Sequence, residues 1–130
     1  MSFFPTILTI GIGATIGASS RYYLGLWMAH LFGKNFPYGT LAANIIGSFL
    51  AGLLVVIILE KALVNEAYRL MLLIGLTGSL TTMSALSLES IEMISLGFYA
   101  QAGVNILFNV ASSLFAAGTG IALARYLFAT

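Results

Sequence analysis

The chain has 130 residues, 60 % of them hydrophobic and 7 % charged, with a mean hydropathy of +1.05 and a formal net charge of +1. A water-facing surface cannot be assembled from that composition, so the sequence is that of a membrane protein, and no nucleic-acid partner is expected. There is no cysteine, which excludes disulfides and thiolate metal sites.

A chain of this length holds about four helices of the roughly 20 apolar residues needed to cross a bilayer. Its start, "MSFFPTILTIGIGATIG", has no basic region ahead of its apolar stretch, which predicts a first spanning helix rather than a cleaved leader. Four apolar blocks follow one another: 4–31, carrying Arg21; 41–59, opening after "FPYGT"; 68–96; and 98–128. Only the short links "GKNFPYG", "EKALVNEA" and "SLGF" separate them, so the expected organisation is a single membrane domain over 1–130. The fold class is an all-α membrane bundle, because a helix satisfies its own backbone groups in lipid and irregular chain does not.

Orientation follows from Lys and Arg near the helix ends. With four spans, one side collects Lys61, Arg69 and Arg125, and the other holds Lys34 with Arg21. Such a small difference opens the way to a chain that inserts both ways up and pairs with an inverted neighbour; a single orientation is the alternative. Small residues give pairing a second basis: Gly13 and Gly17 in the first span, Gly47 and Gly52 in the second, Gly118 and Gly120 in the fourth. They let helix backbones approach closely in a bilayer, whether between subunits or within one.

The third block contains "LTGSLTTMSALSLE" at 76–89. Gly75, Gly78, Ser79, Thr81, Thr82, Ser84 and Ser87 are too dense to be spaced along one lipid-averted stripe, and Gly78 and Ser79 followed by Thr81 and Thr82 predict a helix interruption near mid-span. An unwound turn at that depth is tolerated only inside protein or beside a wet cavity, although Ser and Thr can also return their hydroxyls to the i−4 carbonyl and bend a helix without any ligand. Asn44 and Ser48 share one face of the second span, and Asn105, Asn109 and Ser113, with Ser112 alongside, recur on the fourth. Asparagines facing lipid are costly, so these faces are expected to point inward. They serve there as interhelical glue, worth roughly 0.6 kcal/mol for an average membrane hydrogen bond, or as a polar track for a small ion.

Arg21 reaches the headgroups or forms a positive vestibule that draws anions. Glu89 is an acid beside any anion route there, needing a proton or a hydrogen bond. His30 has no second histidine and reads as interfacial.

"GIGATIGASSRYYLG", "FPYGTLAANIIGSFLAG" and "GLTGSLTTMSALSLE" resemble the three signature stretches of the Fluc-type fluoride channel family, over nearly the whole chain. The resemblance implies a passive fluoride channel that exports fluoride and lowers its cytoplasmic concentration, built in the cell membrane as an antiparallel, dual-topology dimer of four-helix subunits. It also implies a structural sodium ion at the dimer interface, held by backbone carbonyls that fall here on Gly78 and Thr81. The implied anion pathway falls on Asn44, Thr82, Met83, Ser84, Leu86, Ser87, Asn105, Asn109, Ser112 and Ser113, with Arg21 in the vestibule.

The third-span motif departs from the family pattern. Ser79 stands for glycine, Met83 and Leu86 for the two phenylalanines, and Ala85 for threonine. The family places fluoride against phenyl ring edges, the positive part of the ring quadrupole, and neither a thioether nor a hydrocarbon restores that edge. A heterodimer whose paralogous partner supplies the rings is slightly favoured over a divergent homodimer of identical copies. An engineered variant is a third reading, which the accompanying changes at Ser79 and Ala85 argue against. The rival classes are a proton-coupled small multidrug transporter, which requires a membrane carboxylate that is absent before Glu60, and a non-conducting structural subunit. An enzyme is not expected from one histidine and four acids.

Overall fold

The computed structural model describes residues 2–129, so Met1 and Thr130 of the expected 1–130 unit lie outside the described residues. All regular structure among those residues is helical. Helix α1 is Phe3–Phe32 and α2 is Tyr38–Glu60, the last turn of which is π-helical. The third span, Glu66–Ser95, is divided into α3 over 66–80 and α4, Met83–Ser95; α5 is Tyr99–Leu127. All four spans are long and apolar enough to cross a membrane, which makes this a multi-pass membrane protein.

Local signals explain the ends. Asn65 caps α3 by accepting from the Tyr68 N–H at 3.2 Å, and so α3 begins at Glu66, two residues ahead of the expected 68. After α4, Gly97 at φ 83° lets its own N–H bond the Ile94 carbonyl and the Phe98 N–H bond that of Met93 at 2.8 Å. This closure uses a left-handed residue that glycine adopts without strain, and it turns the chain directly into α5.

The bundle is inverted relative to a water-soluble one. Phe4, Leu8, Trp27, Leu107 and Phe115 are exposed, as suits side chains facing lipid, whereas the largest side chains shut off almost completely are Val56, Asn105 and Asn109. Close approach of backbones replaces a core of large apolar groups. A methyl group on Gly13 would lie 1.9 Å from the Met71 carbonyl oxygen, and one on Gly17 would lie 2.2 Å from that of Leu76, so α1 is seated directly on α3. Gly52 and Gly120 seat α2 on α5 in the same way, at 2.2 Å from the Ala117 oxygen and 2.3 Å from the Phe49 oxygen. Five of the six glycines singled out in the sequence, Gly13, Gly17, Gly47, Gly52 and Gly120, are thus used inside the subunit. A methyl group on Gly118 meets nothing within 4 Å among the described residues.

Candidate functional site: the break in the third span

The interruption falls at Thr81 and Thr82, which are extended at φ −77°, ψ 154° and φ −153°, ψ 118°. Gly78, expected to open it, stays helical at φ −65°, ψ −29°. The reason is non-local. The Thr82 N–H, which an unbroken helix would send to the Gly78 carbonyl, donates to Asn44 Oδ1 on α2 at 2.7 Å. Asn44 Nδ2 returns a bond to the Thr82 carbonyl at 3.2 Å. One side-chain amide therefore satisfies both backbone groups of the residue that leaves the helix.

The helix restarts on a local signal. Thr82 Oγ1 accepts from the Ala85 N–H at 3.2 Å, an N-cap, and lies 3.1 Å from Ser84 Oγ. On the other side of the break, Arg21 reaches from α1 and donates through Nη1 to the Thr81 carbonyl at 3.2 Å. Arg21 is thus turned inward to the break rather than extended toward the headgroups, and its charge lies beside the released peptide groups.

The three asparagines form one connected set. Asn44 Nδ2 donates to Asn109 Oδ1 at 2.8 Å, Asn109 Nδ2 to the Asn105 carbonyl at 2.9 Å and to Asn105 Oδ1 at 3.0 Å, and Asn105 Nδ2 to Ser90 Oγ at 3.1 Å. All are buried, Asn105 at 0 % and Asn109 at 1 % exposure. Ser84 and Ser87 lie instead on the exterior with Met83, while Ser112 and Ser113 are partly exposed. Ser87 and Ser112 each donate back to the carbonyl four residues earlier, at Met83 and Phe108, which leaves their oxygens as acceptors.

The two positions that hold aromatics in the resembled motif have separated. Met83 is 69 % exposed and Leu86 only 4 %, although both border an open groove of about 300 Å³ with Thr81, Thr82, Asn44, Asn109 and Ser113. A larger cleft of about 510 Å³ lies at the Lys34 end of the bundle, away from the break, and Glu89 and Glu92 face it. Glu89 Oε1 accepts from Thr40 Oγ1 at 2.5 Å, and Oε2 is buried without a partner among the described residues. At the opposite end, Arg125 is paired with Glu60 at 2.5 Å and Arg69 with Glu66 at 2.6 Å, both pairs on the surface. Sequence reading offered no signal for Thr40, whose role depends on a neighbour 49 residues away.

Four apolar spans, one split at mid-depth by a side-chain-stabilised peptide unit, define a small polytopic membrane protein whose broken helix adjoins an open groove. Residues 8–121 match the family described as CrcB-like protein, Camphor Resistance (CrcB); the chain belongs to that family. It is 42 % identical over 122 residues to a "Fluoride-specific ion channel FluC" of Geotalea uraniireducens, covering 94 % of this chain and 98 % of the relative. Relatives with the same printed description in Sulfurihydrogenibium sp. and Vibrio parahaemolyticus are each 39 % identical, over 92 % and 95 % of this chain and 97 % of each relative.

Proposed function

We propose that this chain forms a passive fluoride channel in the cell membrane, with fluoride moving down its gradient past the break in the third span. The observation that carries the reading is the break itself. It puts Thr81, Thr82, Asn44, Asn109 and Ser113 along one open groove, with Arg21 bonded to the Thr81 carbonyl and the exposed Ser84 and Ser87 following the break in sequence, in a chain whose relatives are named for fluoride. Hydroxyl donors, once turned from the carbonyls four residues earlier that Ser87 and Ser112 now bond, can replace the hydration of a small anion without trapping it as a buried ion pair would. No carboxylate precedes Glu60, so the first span offers no proton-exchange group, in keeping with passive flux rather than coupled transport or catalysis.

The groove is open on one side and its outer wall is apolar: Met83 and Leu114 are exposed. A second, oppositely inserted copy of this fold would close it, and the small Lys and Arg asymmetry permits both insertions. A paralogous partner carrying the aromatic rings is slightly favoured over an identical copy, because Met83 presents no ring edge to the route.

Sodium at that contact fits the donors in kind, since carbonyl oxygens are ligands for a hard cation. Gly78 has lost the Thr82 N–H to Asn44, so its carbonyl is free of that helix bond. The Thr81 carbonyl already accepts from Arg21 and would share its remaining lone pair. A bound sodium would supply positive charge and tie two breaks together; Gly78 and Thr81 are the residues of this chain that would hold it.

The test is efflux from liposomes loaded with fluoride or chloride, with this protein alone and with a phenylalanine-bearing relative. Selective fluoride efflux in either arm supports the reading, and the arm that conducts identifies the partner. No fluoride efflux in both arms would defeat it.

A further inference from the structure

The chain has no cysteine, so the sulfur open to a two-electron oxidant is methionine sulfur. Met28, Met71 and Met93 are each partly covered. Met83, at 69 %, is the one exposed methionine among the described residues. The break is the reason. Met83 is the first residue of α4, directly after the Thr82 cap, and a helical side chain leans back over the turn before its own Cα. Here that turn is the break, and Met83 borders the open groove of about 300 Å³ together with Asn44, Thr82 and Ser113. At roughly 30 Å³ per water molecule, the groove has room for several molecules the size of water or hydrogen peroxide, with polar groups along it to bond them. The phenylalanine of the resembled motif has no sulfur, so this chemistry comes with the methionine.

We propose that Met83 is an oxidation site, at which a hydroperoxide entering the groove converts the thioether to a sulfoxide and thereby slows the passage of an anion. The sulfur lone pair attacks one peroxide oxygen, the O–O bond breaks and an S–O bond forms. The other oxygen leaves as hydroxide and collects the proton of the transferred oxygen, which makes water. Sulfur gives up two electrons, and each peroxide oxygen takes one. The change is of the kind that sulfoxide reductases reverse. An apolar side chain has become a polar one, whose oxygen carries negative charge density and accepts hydrogen bonds. An anion on the same route is repelled by that oxygen and competes with it for the donors of the groove. The oxidation is a property of this groove; its effect on flux rests on the channel reading.

The test treats the full chain in liposomes, alone or in whichever pairing conducts, with hydrogen peroxide, and follows peptide mass mapping, fluoride efflux and thermal unfolding. Met83 should gain one oxygen ahead of Met28, Met71 and Met93. Efflux should fall about fivefold or more as that species accumulates, the rate equivalent of about one net hydrogen bond. The unfolding midpoint should hold, because the exposed residue 83 needs no interior room for an added oxygen. In Met83→Leu, treated and untreated protein should conduct alike, whereas in Met93→Leu, whose site lines the separate cleft at the Lys34 end, the loss should persist. Met83 left unoxidised while Met93 reacts, full sulfoxide at Met83 with unchanged efflux, an equal loss in Met83→Leu, or a loss that follows a fallen midpoint would each overturn it. The mapping needs neither fluoride nor a variant, so a chain that conducts no fluoride defeats the channel reading and leaves the oxidation site to be judged by mapping.

Discussion

Replacing Gly17 by alanine strikes the point where the fold and the break meet. The added methyl would lie 2.2 Å from the Leu76 carbonyl oxygen, where ordinary contact begins at 3.4 Å, so α1 and α3 must part by about 1.2 Å at that level. The oxygen is backbone in a helix and cannot swing aside. Overfilling a packed contact of this kind costs about 1–3 kcal/mol. Arg21 is one turn further along α1, and its 3.2 Å bond to Thr81 would stretch beyond hydrogen-bond range if α1 moved as a rod. Gly17→Ala should therefore lower both thermal stability in detergent, followed by Trp27 fluorescence and size exclusion, and fluoride efflux from liposomes. Gly11→Ala, on the same helix but with nothing within 4 Å of the new methyl among the described residues, should stay within about 1 kcal/mol of wild type, because alanine is the better helix former. Equal stability for the two variants would refute the claim that α1 is seated on α3 by backbone contact.

Met83→Phe should assemble as well as wild type, because residue 83 is 69 % exposed and a ring needs no interior room; if the missing ring edge limits conduction, fluoride efflux by the chain alone rises. Leu86→Phe should instead lose about 1–3 kcal/mol of stability, since position 86 is 4 % exposed and must accommodate extra volume; unchanged thermal unfolding would show that the site has room. Gly97→Ala should cost about 1–2 kcal/mol by forcing a side chain into the left-handed region at φ 83°, read as a lower unfolding midpoint. Ala62→Gly at φ 51° should move that midpoint upward. Arg21→Gln keeps a donor for the Thr81 carbonyl but removes the charge; slower efflux with unchanged stability would be the signature of an electrostatic role at the break.

What the sequence determined by itself is the part set by local composition: helical structure, four spans, and a disturbance near the middle of the third. In lipid the backbone has no water to turn to, so an apolar run of sufficient length has one outcome, and a dense group of hydroxyls marks where that outcome is weakest. The cap at Asn65 and the turn at Gly97 rest on equally local bonds, although the third span was expected to start only at 68. The tertiary structure decided where the helix breaks and which polar groups remain available. Thr82 leaves the helix because Asn44, 38 residues earlier, meets both its N–H and its carbonyl, and Asn44 is held by Asn109, 65 residues later. Periodicity places an amide on a face, but it does not say how many of its hydrogen bonds other helices have already taken. That count arises only when α2, α4 and α5 are brought together.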